Sequence, residues 1–268
     1  MSELVKTTIE NHIAHVSFNR PEKYNSLNPA MFSAIGEAAR NLSLNRQVRA
    51  VVLSGEGKGF CAGLDFEYFQ QMESGGIQEN DDLSRRPDGN IANLGQYSAH
   101  GWKQLPVPVI AAVHGVAFGG GCQIALGADI RYASPDAKFS VMEIKWGLIP
   151  DMSGSQTLRD LVRLDIAKEL LFTGKILPAE EAARLGLVTR VCDDPLAEAF
   201  SLAEEIADKN PHAVRSAKKL LNEAWHGSEK HGLLLETDLI MPLIGSSNQV
   251  EAIQANFEKR KPEFKDVG

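Results

Sequence analysis

Gly119-Gly120-Gly121-Cys122-Gln123-Ile124-Ala125-Leu126 follows an apolar run that reads as a strand, and itself opens a run that reads as a helix. A helix that starts on glycine directly after a strand leaves its first backbone N–H groups bare at the rim of a cleft, backed by the positive end of the helix dipole. Such a rim binds an anion, or stabilises an oxygen that becomes anionic during a reaction. Gln123 stands one turn into that helix, facing the cleft.

The same strand–turn–helix unit recurs on both sides of this stretch. Ile13 to Phe18 reads as a strand ended by Asn19-Arg20-Pro21. Asn28 is a good helix cap and Pro29 suits the first helical position, after which Phe32, Ile35, Ala39 and Leu42 recur at helical spacing. Val48 to Leu53 reads as a strand closed by Ser54-Gly55-Glu56-Gly57-Lys58-Gly59; Val109 to Val113, Ile130 to Ala133 and Lys138 to Ser140 read as further strands. The pattern is that of an α/β spiral. Residues 73 to 95 break the rhythm with turn-rich, charged sequence, which points to a mobile segment beside the site. From Pro195 the pattern is helical: Leu196, Phe200, Leu202, Ala203 and Ile206 form one apolar stripe, Val214, Ala217, Leu220, Leu221 and Ala224 a second, and a third helix is predicted from about Asn248 to Arg260. This divides the chain into a core over 1–195 and a helical region over 196–268, whose apolar stripes need the core or a neighbouring subunit to cover them.

Composition narrows the classes. The net charge of −7 over 268 residues argues against a nucleic-acid surface. No apolar stretch approaches the roughly 20 residues that span a bilayer, so no membrane partner is expected. Cys61, Cys122 and Cys192 make an odd, widely spaced set that suggests neither a disulfide framework nor a metal site, and a reducing cytoplasm is the expected location. Met1-Ser2-Glu3-Leu4-Val5-Lys6 lacks the basic start and apolar run of a secretory signal. The histidines show no ligand spacing, and the serine of Met152-Ser153-Gly154 is not bracketed by glycines as in a nucleophile elbow.

A second glycine turn, Gly59-Phe60-Cys61-Ala62-Gly63-Leu64-Asp65, follows an earlier strand. Two backbone N–H groups from separate turns that converge on one point make an oxyanion hole. These two turns, with Met142-Glu143-Ile144-Lys145-Trp146-Gly147-Leu148-Ile149-Pro150 as a third signature, resemble the crotonase superfamily of enoyl-CoA hydratases and isomerases. The resemblance runs over about residues 8 to 190, and the helical tail is similar to that family's trimerisation region.

The resemblance implies a crotonase-type spiral of repeated ββα units, assembled as a homotrimer or a dimer of trimers, in fatty acid metabolism. It implies a coenzyme A thioester as substrate, with no covalently bound cofactor and no metal. The thioester carbonyl is then held by the N–H groups of Leu64 and Gly120, and the coenzyme by Lys23, Asn25, Leu27 and the backbone around Cys61, Ala62 and Gly63. Lys259-Arg260-Lys261 meets the coenzyme's phosphates or is a solvated helix end.

Family hydratases carry one glutamate on the glycine-started helix and another in the third signature. Glu143 is the second; Gln123 replaces the first. An amide neither takes nor gives a proton near neutral pH, so Gln123 either contacts substrate or water by hydrogen bonds or satisfies backbone groups. Asp151, eight positions after Glu143, is a second carboxylate at the spacing seen in dienoyl-CoA isomerases of the family, or simply a helix cap before Ser153-Gly154-Ser155-Gln156. The preferred reading is isomerisation of an enoyl- or dienoyl-CoA by Glu143 and Asp151. The alternatives are a single-glutamate hydratase, a thioester hydrolase and a non-catalytic acyl-CoA binder.

Overall fold

A computed structural model describes residues 3–74, 83–86 and 89–268. Nine strands and eleven helices are assigned within them. The chain begins with β1 (Val5–Glu10), β2 (Ile13–Phe18), α1 (Pro29–Leu44), β3 (Ala50–Gly55), α2 (Phe66–Glu73) and α3 (Leu94–Gln104). It continues through β4 (Val109–Val113), β5 (Val116–Phe118), α4 (Gly120–Gly127), β6 (Ile130–Ala133) and β7 (Lys138–Ser140), then a 3₁₀ turn over Glu143–Trp146. The remainder is α5 (Gly154–Leu161), α6 (Leu164–Thr173), β8 (Leu177–Pro178), α7 (Ala179–Leu185), β9 (Arg190–Val191), α8 (Pro195–Ala207), α9 (Pro211–Ala224), α10 (Glu229–Ile240) and α11 (Ser247–Glu258).

A six-stranded sheet runs in the order β1-β2-β3-β4-β6-β9, parallel throughout except for the antiparallel β1–β2 edge. A smaller sheet, β5-β7-β8, lies beside it. The strand period of two sorts the large sheet's side chains between two cores. Val51, Leu53, Val109, Ala111 and Val113 join α1, α3 and α4 in the main core. Ala50, Val52, Ile110 and Ala112 face the other way and are covered by Ala199, Ala203 and Ala207 of α8. Alanines four residues apart present a smooth helix face that lies close on the sheet. Helix α8, which starts at the predicted end of the core, is thus the lid of the sheet's second face.

The capped start predicted at Asn28 is present, with the Asn28 side chain accepting the N–H of Met31. Strands β2, β4, β6 and β7 lie where the sequence placed them, while β3 begins two residues later than the predicted strand and runs on to Gly55. The expected mobile segment lies in part outside the described residues, and its end, from Leu94, is the start of α3. That helix carries a capping box between Asn93 and Gln96, a signal present in the sequence but overshadowed by its charged, glycine-rich approach.

The helical tail behaves differently from its apolar pattern. On α9 the side chain driven inward is Lys218, whose Nζ donates to the carbonyls of Trp102 and Val107 and to Asp129 Oδ2 at 2.6 Å. Asp129 also accepts the N–H of Val109 at 2.7 Å, so one ion pair ties α9 to the start of β4. Leu221 and Trp225, by contrast, are exposed, as are Leu233, Leu234, Ile240 and Met241 around α10. The apolar stripe of α9 therefore points largely away from its own core. The end of the chain is fixed by Arg49, which bonds Asp266 Oδ1 at 2.8 Å and the carbonyls of Ala207 and Phe264.

Candidate active site

The two glycine turns are stitched to each other and to the segment before α1. The N–H of Cys61 donates to the carbonyl of Val116, and that of Phe118 to the carbonyl of Cys61. Leu27 gives its N–H to Gly63 and accepts that of Asp65, so the intervening Leu64 turns its own N–H the other way. Gly63 (φ +86°) lies against Phe118, where a Cβ would come 2.6 Å from the carbonyl oxygen. At Gly121 a Cβ would fall 2.3 Å from the carbonyl oxygen of Cys61. Gly119 (φ +51°) turns the chain into α4, whose cap supplies no side-chain hydrogen bond, so the first N–H groups of that helix are bare. Arg20 braces the assembly from below through Asp65 Oδ2 at 2.8 Å and the carbonyl of Ser26. Burial pushes the Asp65 carboxyl up, but the N–H of Glu67 and the Arg20 guanidinium outweigh it and hold its pKa below the usual value.

Leu64 and Gly120 line one cavity of about 360 Å³, together with Leu27, Ala62, Gly63, Glu143 and Asp151. Most of the remaining wall is apolar, with Phe32, Phe69 and Trp146 prominent, and the rings of Phe69 and Trp146 stack at 4.5 Å. Glu143 and Asp151 are the charged side chains of this wall among the described residues. The geometry therefore brings both predicted carboxylates and both predicted N–H donors to one apolar pocket.

Glu143 sits at the start of the 3₁₀ turn, with its two carboxylate oxygens in different surroundings. Oε1 accepts a 2.6 Å hydrogen bond from Gln123 Nε2. Oε2 is buried and has no hydrogen-bond partner among the described residues. Burial raises the Glu143 pKa, and the nearby negative charge of Asp151 raises it further; the Gln123 amide acts in the opposite direction. Burial also pushes the Asp151 carboxyl up, although Asp151 keeps an exposed face. Asp151 does not cap the next helix. Helix α5 has Ser153 as its cap residue, with no side-chain cap bond, and takes its cap from elsewhere.

That cap is Gln123. Its Oε1 accepts the N–H groups of Met152 and Gly154, each at 2.9 Å, and the residue is only 1 % exposed. Two backbone donors fix which end of the amide is oxygen, so the nitrogen must face Glu143. Gln123 therefore lies behind the pocket wall, joining Glu143 to the start of α5. Of the two readings left open by the sequence, the geometry matches backbone satisfaction, with orientation of Glu143 added.

Other predicted binding residues divide similarly. Asn25 is fully buried; it donates to the carbonyls of Glu56 and Gly59 and accepts the N–H of Arg20. The Cys61 thiol donates to the carbonyl of Asn25. Burial pushes the thiols of Cys61 and Cys122 up to about 12, which leaves them protonated and inert. Lys23 is outside the pocket wall and pairs with Glu67 at 2.8 Å. Lys261 pairs with Asp208 at 2.9 Å, and Arg260 with Glu251 and Glu258. No group of acidic, histidine or cysteine side chains among the described residues is arranged to hold a metal ion, and no helix among them is long and apolar enough to cross a membrane.

Comparison with known proteins agrees with this architecture. Residues 8–267 match the family model for enoyl-CoA hydratase/isomerase. The short-chain-enoyl-CoA hydratase of Clostridium acetobutylicum is 34% identical over 259 residues, covering 95% of this chain and 94% of that protein. The human mitochondrial Δ(3,5)-Δ(2,4)-dienoyl-CoA isomerase is 35% identical over 262 residues, 95% of this chain and 79% of that protein. The crystal structure of an enoyl-CoA hydratase from Bacillus anthracis superposes with a TM-score of 0.87 at 31% identity, covering 98% of this chain and 99% of that one. The chain belongs to the enoyl-CoA hydratase/isomerase family, and its fold is the crotonase-type spiral.

Proposed function

We propose that this enzyme moves the double bond of an enoyl- or dienoyl-CoA thioester, with Glu143 as the proton carrier. The observation that carries this reading is the asymmetric carboxylate. Glu143 lines the pocket, its Oε1 is held by an amide that cannot exchange a proton, and its Oε2 has no hydrogen-bond partner among the described residues. A carbon acid offers no hydrogen bond in its ground state, so one carboxylate on an apolar wall suffices to take its proton. Water addition instead calls for a water held by more than one group, and Gln123 is committed to backbone and to Glu143.

In the proposed reaction the thioester oxygen accepts the N–H groups of Leu64 and Gly120. Glu143 removes the α-proton of a 3-enoyl-CoA, and the C–H electron pair moves through the α-carbon into the carbonyl, whose oxygen becomes anionic in the hole. Returning a proton to the γ-carbon, from Glu143 or Asp151, draws the electrons back and leaves the 2-enoyl product. No cofactor takes part beyond the coenzyme A carried by the substrate. The exposed apolar residues of α9 and α10 support assembly with further copies of the chain, as a trimer or a dimer of trimers.

Incubating the enzyme with 3-enoyl-CoA in deuterated water tests the reading. The expected result is a 2-enoyl-CoA bearing solvent deuterium; faster conversion of 2-enoyl-CoA to its 3-hydroxy derivative would replace it with the hydratase reading, which the name of the Clostridium relative favours.

The same geometry sets the pH dependence. The base must be ionised to take a proton, so kcat/KM rises with pH through the elevated pKa of Glu143. Gln123→Met removes a hydrogen bond to the ionised form, which moves this acidic limb to higher pH. Asp151→Asn removes a repelling charge and moves it to lower pH. Displacements of the same sign in both variants, read from the pH profiles, would contradict this arrangement.

A further inference from the structure

We propose that Phe32 sets the longest acyl chain the site accepts, by separating the pocket from a second cavity behind it. The proposal rests on the acyl-CoA reading above. Phe32, only 4 % exposed, is a wall residue of both the 360 Å³ pocket and a neighbouring cavity of about 240 Å³. The partition continues through two short stretches of chain. Leu83, Ser84 and Gly95 face the pocket, whereas Arg85 and Leu94 face the second cavity. The two spaces therefore meet along one thin wall, with the Phe32 ring in it.

The second cavity owes its room partly to Gly36, one helical turn after Phe32 on α1. A Cβ there would lie 3.5 Å from the Tyr97 ring, an ordinary contact, so this glycine is not demanded by backbone conformation or by a clash. Phe32 belongs to the main core and borders both spaces, so the side chain that completes the core here also bounds the pocket. Beyond it, Arg40, Arg85 and Glu37 give the second cavity a polar edge, so a chain passing Phe32 gains apolar contact only until it reaches that edge.

Binding of a homologous series of straight-chain acyl-CoA thioesters, from butyryl to dodecanoyl, measures this directly on the intact protein. In the wild type, affinity rises about fourfold for each methylene buried, up to the chain length that meets Phe32, and is flat or falling beyond it. Phe32→Ala moves that break to longer chains and tightens binding of the longest thioesters about tenfold or more. Adding Gly36→Leu to Phe32→Ala refills the second cavity and abolishes the gain, while Gly36→Leu alone leaves the wild-type profile unchanged. Phe32→Leu, a milder change, moves the break in the same direction by less. A break that stays in place in both Phe32 variants overturns the proposal, as does a gain that survives Gly36→Leu. Failure of the wild type to bind any thioester in the series fells the acyl-CoA reading itself, and is distinct from either of those results.

Discussion

Glu143→Gln abolishes turnover while leaving thioester binding intact. The substitution keeps the volume of the side chain and leaves Oε1 as an acceptor for Gln123, so the pocket keeps its shape. What disappears is the ionisable carboxylate that the proposed reaction uses to carry the proton. A positioned acid–base group contributes about 10²–10⁴ in rate, so kcat falls by at least that much. Acyl-CoA dissociation constants, measured by calorimetry, are expected to stay within about threefold of the wild type, because the proposed binding mode holds the thioester by its carbonyl, its chain and its coenzyme rather than by this carboxylate. Turnover in the variant at a tenth of the wild-type rate or better would remove Glu143 from the chemistry.

Gly121→Ala is expected to cost nearly as much, from a residue with no contact to substrate. Its Cβ would lie 2.3 Å from the Cys61 carbonyl oxygen and 2.7 Å from the Cys61 Cβ, and neither atom can step aside, because Cys61 is hydrogen-bonded to Val116 and Phe118. Relief comes only by moving the Leu64 turn away from α4, which separates the two N–H donors. Loss of a single oxyanion donor costs about 10²–10³ in rate, and overpacking of this kind about 3 kcal/mol in stability. Denaturant unfolding with the assay above separates the two effects. A stable variant with wild-type kcat would show that the hole does not depend on this contact.

The features readable from the chain were those set by neighbours in sequence. Asn28-Pro29 announces α1 through local capping chemistry, and the glycine turns announce themselves because only glycine tolerates φ near +86° at Gly63 or the approach at Gly121. Glu143 and Asp151 were recognisable from a motif, and both line the pocket. What stayed hidden depends on distant partners. The role of Gln123 arises from N–H groups 29 and 31 residues further along, at the start of a helix that no nearby residue caps. Nothing near Lys218 in the sequence announces its partner Asp129, which lies 89 residues away. Helix α10 lacked a stripe to announce it, since Leu235 is its one buried side chain. Strand β1 was missed for a related reason: only Val5 of its six residues is buried, so alternation is absent.

The sealed thiols of Cys61 and Cys122 have a practical consequence. In the folded protein both are buried and protonated, whereas Cys192 is half-exposed between β9 and α8. An alkylating reagent therefore labels one cysteine of the native chain and all three of the denatured one. Mass spectrometry of the alkylated protein then reads separation of the two glycine turns as a gain of label at Cys61 and Cys122, with Cys192 as internal standard.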